Sequence, residues 1–266
     1  MTSTVPLTVV PDEEVSGAAE VFVTVSISGR EYQLILDTGG ASSRIVADDL
    51  TRTFEPGPPE GEPGRGVFGG SVPTPRVVVP ELRLGDITAT NLAVELSAES
   101  PSAPPAILGL DVLRHHRLDI RLGQGTLTID GSDPVDEERP LPMSSRGHPY
   151  VEVTWAGHIA HAIWDTGAGV TVVDTAFARK HRHLFSQRTT AVGMDSQGNS
   201  SETPLVTMAA CSVGGRSFDA SVAAIADVAG IQRPGDPPFD LIVGHPVISQ
   251  AEWSFNLREG HWGFLA

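Results

Sequence analysis

Two short motifs in this chain have the makings of acid–base chemistry: Asp37-Thr38-Gly39 and Asp165-Thr166-Gly167. Each follows an apolar run, Leu34-Ile35-Leu36 in the first and Ala162-Ile163-Trp164 in the second, so each carboxylate stands where a strand ends and the backbone turns. Two carboxyl groups held close together repel when both are ionised, so such a pair keeps one proton and titrates as a unit. One member can then act as base and the other as acid. That combination suits a water that gives up a proton while attacking a carbonyl whose oxygen is hydrogen-bonded to the second carboxyl. A single Asp-Thr-Gly is also an ordinary strand-ending turn. What distinguishes these two is their position in the chain.

The surrounding elements occur twice. Val21-Phe22-Val23-Thr24-Val25 leads to Gly29 and on to Asp37, and Pro149-Tyr150-Val151-Glu152-Val153 leads to Gly157 and on to Asp165, at a constant offset of 128. Alternating apolar positions read as a strand, a glycine turn and a second strand in both copies. Downstream, Leu82-Arg83-Leu84-Gly85 repeats as Cys211-Ser212-Val213-Gly214, and Ala106-Ile107-Leu108-Gly109 as Leu241-Ile242-Val243-Gly244. The last hairpins agree as well, Asp119-Ile120-Arg121-Leu122 with Ser254-Phe255-Asn256-Leu257. Two ordered copies of one strand set predict an all-β protein of two homologous lobes about a pseudo-twofold axis. The expected division is an N-terminal segment over 1–19, a lobe over 20–130, a Pro-rich acidic linker over 131–147 and a second lobe over 148–266. Leu7 to Val10 is expected to add an edge strand at the lobe interface.

Composition agrees with this. The chain has 266 residues with 40% hydrophobic content, 28 glycines and 21 prolines, enough apolar material for a core and too many breakers for long helices. A net charge of −15, from 18 basic and 33 acidic residues, leaves no basic stripe to follow a phosphate backbone, so nucleic acid is not expected as a partner. The single cysteine, Cys211, makes no internal disulfide and reads as a small buried apolar residue. No basic residue precedes Arg30 and no apolar run is long enough to span a bilayer, so neither a secretory signal nor a membrane partner is expected and a cytoplasmic location is the default. His115 with His116 and His181 with His183 lie close in sequence, but no acidic or cysteine partner stands at ligand spacing, and no metal is expected.

The two Asp-Thr-Gly turns, each with its downstream apolar-apolar-Gly, resemble the active-site loops of clan-AA aspartic peptidases, in a single-chain bilobal form of the retropepsin-like and pepsin-like type. The resemblance covers about residues 20 to 266. It implies two acid-protease-type β lobes, catalytic Asp37 and Asp165, and support of the dyad by Thr38, Thr166, Gly39 and Gly167, with each Thr hydroxyl bonding the other loop's backbone. It also implies psi-shaped loops closed by Ile107, Leu108 and Gly109 and by Ile242, Val243 and Gly244. A β-hairpin flap is implied over the site, with candidates at Phe68, Gly69 and Gly70, in the stretch Val67 to Ser71, and at Gln197 and Gly198.

Activity, on this resemblance, is endopeptidase hydrolysis of an extended peptide or protein substrate by an activated water, with no cofactor and no metal. One chain, as a monomer, suffices for the site. A weakly active or non-catalytic bilobal peptide-binding protein on the same scaffold is the alternative. Some positions depart from the family pattern. The only tyrosines, Tyr32 and Tyr150, precede the Asp turns, which favours a retropepsin-like flap without a tyrosine. Gly40 and Ala168 stand where pepsin-like enzymes carry Ser after Asp-Thr-Gly. Ala41 and Gly169 replace the acidic residue common in retropepsins, and Leu110 and His245 replace the Arg after the second Gly. The repeat alignment puts His245 beside the catalytic layer.

Overall fold

The computed structural model describes residues 2–59, 64–70, 74–100 and 103–266, with residues 187 and 188 described in their backbone only. Strands hold 48% of the residues and helices 10%, so the all-β expectation from short alternating runs holds. The first half runs β1 (Ser3–Pro11), β2 (Ala19–Ile27), β3 (Arg30–Leu36), β4 (Arg44–Val46), β5 (Arg76–Leu84), β6 (Ile87–Ser97) and β7 (Ile107–Leu108). Helix α1 (Leu110–Leu113), β8 (Arg117–Arg121) and β9 (Thr126–Ile129) complete it. The second half opens with β10 (Arg139–Pro140), β11 (Tyr150–Trp155), β12 (His158–Trp164), β13 (Thr171–Asp174), helix α2 (Thr175–Lys180), β14 (Phe185–Met194) and β15 (Ser200–Met208). It closes with β16 (Cys211–Val213), β17 (Arg216–Phe218), β18 (Ser221–Ala226), β19 (Leu241–Val243), helix α3 (His245–Ile248), β20 (Trp253–Asn256) and β21 (His261–Phe264).

The duplication reappears as identical strand register. Phe22 faces Ile35 across β2 and β3, and Tyr150 faces Ile163 across β11 and β12. Ile35 pairs in parallel with Ile107, as Ile163 does with Ile242. In β2 every second residue, Ala19, Val21, Val23, Val25 and Ile27, is buried. A one-residue slip would turn that whole set to solvent, so burial fixes the register.

The strands form two sheets. A nine-stranded sheet in the order β14-β15-β18-β13-β19-β12-β11-β16-β17 belongs to the second half. A twelve-stranded sheet in the order β10-β21-β20-β8-β9-β1-β2-β3-β7-β4-β6-β5 joins the first half to strands of the second. The two halves meet at β8 and β20, which come from equivalent places in the two copies, and there Asp119 faces Ser254, whose hydroxyl donates to the Asp119 carboxylate at 2.6 Å. Since these two residues are each other's counterparts in the repeat, the pseudo-twofold axis passes between them.

Two expectations change here. The segment Leu7 to Val10 lies in β1, which is no edge: it pairs with β2 on one side and with β9 on the other. Edge placement followed from its having no repeat partner, whereas in the fold it fills the gap between the first lobe's own strands and the shared ladder. Residues 131–147, read as an aperiodic linker, include β10, which pairs with β21, and bridges from Val135 to Leu265 and from Met143 to Pro149. Beneath the shared ladder an aromatic cluster fills the space. Trp164 stacks on Phe255 with ring centres 4.0 Å apart, and Trp253 lies 5.7 Å from Trp164.

Candidate active site

Strands β3 and β12 end in the two Asp-Thr-Gly turns, and the fold brings these turns face to face. The Thr38 N–H donates to the Thr166 hydroxyl at 3.1 Å, the Thr166 N–H donates to the Thr38 hydroxyl at 3.1 Å, and the Thr38 hydroxyl donates to the Trp164 carbonyl at 2.9 Å. Both threonines are buried, so these bonds replace water and hold the two turns in one geometry. A Cβ at Gly39 would stand 2.2 Å from an Asp165 carboxylate oxygen, and one at Gly167 would stand 2.5 Å from the Asp37 carboxyl carbon. Only glycine permits so close an approach.

Asp37 and Asp165 meet at this junction, where the Gly39 N–H lies 2.9 Å from Asp37 Oδ1 and 3.0 Å from Asp165 Oδ1. The arrangement is not symmetric. The Gly167 N–H, at 2.8 Å, serves Asp165 alone. Asp165 therefore has the Gly167 and Ala168 N–H groups to itself and a share of Gly39, while Asp37 has Gly40 and the share. Burial pushes both carboxyls above the usual carboxylate range, and for Asp37 the negative charge of Asp165 adds to it, raising Asp37 well above its ordinary value. At Asp165 the backbone N–H of Gly167 and the hydrogen bond from Asp37 oppose the rise. The pair holds a proton into the pH range where isolated carboxyls have lost theirs.

The downstream apolar-apolar-Gly segments lie directly behind. Strand β7, with Ile107 and Leu108, runs between β3 and β4, and β19, with Ile242 and Val243, between β12 and β13. The N–H groups of Gly109 and Gly244 donate to buried hydroxyls, Ser43 Oγ at 3.0 Å and Thr171 Oγ1 at 3.2 Å. Leu110 N–H closes onto the Gly40 carbonyl at 2.8 Å, and His245 N–H onto Ala168 at 2.9 Å. Each catalytic-type turn is thus pinned by the residue after its glycine, and Ser43 is held in turn by Asp111 at 2.6 Å.

Both carboxyls line a cavity of about 760 Å³. Above it stands the hairpin of β14 and β15, with Gln197 and Gly198 at its tip. The first-half candidate differs from the hairpin expected of it: among the described residues, 64–70 belong to no strand, and β5 begins at Arg76. Ser71 lies outside the described residues. The two candidate tips touch one another. Phe68 N–H donates to the Asp195 carboxylate at 3.0 Å, and the Asn199 amide donates to the Gly69 carbonyl at 2.7 Å. Asp195 also receives the N–H groups of Gln197 and Asn199, each at 2.9 Å. From below, Arg44 reaches the Ser196 carbonyl at 2.5 Å while paired with Glu95 at 2.5 Å, a fully buried ion pair.

Several of these residues escaped the sequence reading. Arg44 and Glu95 meet only across the parallel pair β4 and β6. His148 lines the cavity, half-buried, with its pKa lowered to about 4 by burial and by the charge of Arg146. The offset of 128 from Glu20 was the one signal that could have marked it. His245 stands beside the Ala168 turn, but its ring faces the Gly17 carbonyl at 3.3 Å and not the cavity. The rings of His158, His181 and His183 lie 4.6 to 6.4 Å apart. No group of three or more His, Cys, Asp or Glu among the described residues is arranged to hold a metal ion.

A family model described as aspartyl protease matches residues 23–112 and again residues 151–247, one copy on each half. The chain belongs to the aspartyl protease family. This aspartyl protease also matches the crystal structure of the aspartic proteinase from Irpex lacteus, with a TM-score of 0.59, 14% sequence identity, and coverage of 100% of this chain and 97% of that one. At that identity the likeness is one of fold, an all-β bilobal aspartic protease architecture. No curated protein matches the sequence significantly. Family membership makes peptides or proteins the substrates of this aspartyl protease. No helix among its described residues is long and apolar enough to cross a membrane.

Proposed function

We propose that the chain is an endopeptidase that hydrolyses peptide bonds with a single water activated between Asp37 and Asp165. The observation that carries this reading is the Gly39 N–H within hydrogen-bond distance of both carboxylates, at a buried junction opening on the cavity. Its extra donor makes Asp165 the better carboxylate, so Asp165 is the base and Asp37 holds the proton. The water oxygen bonds to the scissile carbonyl carbon as its proton passes to Asp165, while the Asp37 proton passes to the carbonyl oxygen. Asp165 then gives its proton to the amide nitrogen and Asp37 recovers one from a hydroxyl of the tetrahedral centre. The carbon–nitrogen bond breaks, both products leave, and the dyad returns to its starting state without a covalent intermediate. Thr38 and Thr166 keep the two turns rigid, so little reorganisation accompanies the charge shift. The tips around Phe68 and Gln197 cover an extended peptide and exclude bulk water. One chain supplies both carboxyls, so a monomer suffices.

The test is cleavage of a broad peptide library, between acidic and neutral pH, by the native chain and by Asp165→Asn and Asp37→Asn. Either substitution is expected to lower kcat/KM by about 10²–10⁴-fold, and undiminished cleavage would overturn the mechanism. A native chain that binds the library but cuts none of it would leave a peptide-binding protein on this scaffold.

A further inference from the structure

The strand that follows each Asp-Thr-Gly turn lies between two others, and its register is the same in both halves. Arg44 stands seven residues after Asp37 and pairs with Ile107 of β7 on one side and Glu95 of β6 on the other. Val172 stands seven residues after Asp165 and pairs with Ile242 of β19 and Ala224 of β18. All six of these residues line the cavity. The isoleucines match, so within this frame the two walls differ at one pair of positions: arginine and glutamate in the first half, valine and alanine in the second.

Size and polarity both change with that pair. Arg44 Nε donates to Glu95 Oε2 at 2.7 Å and Arg44 Nη1 to the Ser196 carbonyl at 2.5 Å, with Arg44 only 1% and Glu95 only 6% exposed. Two long side chains, tied to each other and to the tip of the opposite half, therefore fill the first-half recess and face it with polar atoms. They do not fold aside for a guest, because parting them leaves a charge buried without its partner. In the second half two short aliphatic side chains stand at the same places. Ala224 packs with Leu205 and Val222, and Val172 against Phe239 and Ile242. The space above them belongs to the cavity, and an apolar group entering it leaves water without stranding a buried polar one.

The geometry points to a cleft whose two symmetry-related subsites take different residues: a bulky aliphatic or aromatic side chain over Val172 and Ala224, and a small or uncharged polar one over Arg44 and Glu95. Since the axis that relates the two aspartates also relates the two recesses, these side chains lie on opposite sides of the scissile bond. This rests on the peptidase reading and specifies its substrate class. Two equal recesses would accept a peptide in either direction; unequal ones exclude one direction by bulk and by the cost of covering the ion pair with apolar surface.

The experiment uses the native chain and four peptides of one length with a common central pair. The positions flanking that pair carry Leu on the N-terminal side and Ser on the C-terminal side, the reverse, Leu on both sides, or Ser on both, and mass spectrometry confirms the cut. One mixed peptide is expected to exceed the other in kcat/KM by at least about tenfold, the discrimination that an apolar recess gives between side chains differing by a few carbons, and to exceed the peptide with Leu on both sides as well. Arg44→Val with Glu95→Ala, which gives the first half the wall of the second, should bring the two mixed peptides to within about twofold of each other and raise cleavage of the peptide with Leu on both sides. If that chain does not fold, Val172→Phe reads the opposite recess: by filling it, the substitution should remove the advantage of Leu on that side. Equal rates for the two mixed peptides with the native chain, or a difference unmoved by these substitutions, overturn the inference. Binding of the same peptides, labelled, to Asp37→Asn is followed in parallel. Selective binding without turnover by the native chain would remove the peptidase reading and keep this one; turnover without selectivity would do the reverse.

Discussion

The two halves copy each other strand for strand around the Asp-Thr-Gly turns and diverge directly above them. In the second half the tip is carried by β14 and β15, which pair from Phe185 with Met208 out to Met194 with Ser200. In the first half the corresponding residues, 64–70, have no ladder of their own and lean on the other tip, through Phe68 to Asp195 and Gly69 to Asn199. Beneath the tips the same divergence recurs. Arg44 faces Glu95 in the first half, and the equivalent pair in the second is Val172 and Ala224. One half satisfies its backbone internally and its pair by apolar contact; the other uses a buried ion pair that extends to Ser196 across the interface. The difference shows that a duplicated fold keeps the cleft floor common to both halves and divides the roof unequally between them.

The strongest way to break that contrast is to remove Arg44. Arg44→Met leaves Glu95 buried without its partner and is expected to destabilise the fold by about 3–5 kcal/mol, measured by urea unfolding. The pair Arg44→Val with Glu95→Ala, which copies the second half, should recover most of that loss while loosening the tip at Ser196, seen as faster amide exchange around residues 195–199.

Next is the clasp itself. Asp195→Ala strands the N–H groups of Phe68, Gln197 and Asn199, costing about 1–3 kcal/mol of local order, and should raise KM more than it lowers kcat. Gly66→Ala approaches the same result sterically, since a Cβ there would stand 2.0 Å from Asp195 Oδ2.

A smaller effect sharpens the contrast at the dyad. Both carboxyls have folded-state pKa values raised by burial, more so at Asp37. Their protonated forms therefore stabilise the fold fully below the unfolded carboxyl pKa, and that contribution is lost as pH rises through the folded value. Asp37→Asn should raise the melting temperature at neutral pH by a few degrees, more than Asp165→Asn, and the gain should vanish in acid. The smallest effect concerns His158, whose first-half counterpart, Arg30, binds Asp49 at 2.6 Å. His158 instead packs with His181, whose pKa is lowered by desolvation and then by His158, Lys180 and His183. A lowered folded-state base destabilises the fold as pH falls below its unfolded pKa. His181→Gln should flatten the melting profile slightly between pH 7 and 5.

The sequence made legible whatever repeats. Asp37 with Asp165, the strands leading to them and the glycine-bearing strands behind them were all fixed by offset and apolar alternation, because burial of one strand face constrains register locally. Interactions that join unrelated segments were not legible. The place of β1 between β2 and β9 depends on an edge left open by two distant strands. The Gly39 N–H that leans toward Asp165 breaks a symmetry on which the repeat argument relied. Arg44 and Glu95 lie in segments with no alternation to mark them, and the meeting of Phe68 with Asp195 joins two polar turns that have no period at all.

The ladder joining β8 to β20 on the pseudo-twofold axis has a mechanical consequence. Because the main chain of one half is hydrogen-bonded to that of the other beneath the dyad, and the ladder continues without a break into β1 and β2, the base of the cleft behaves as a single stiff plate. Spreading the halves like a hinge would tear that plate, so entry for a long ligand is left to the roof.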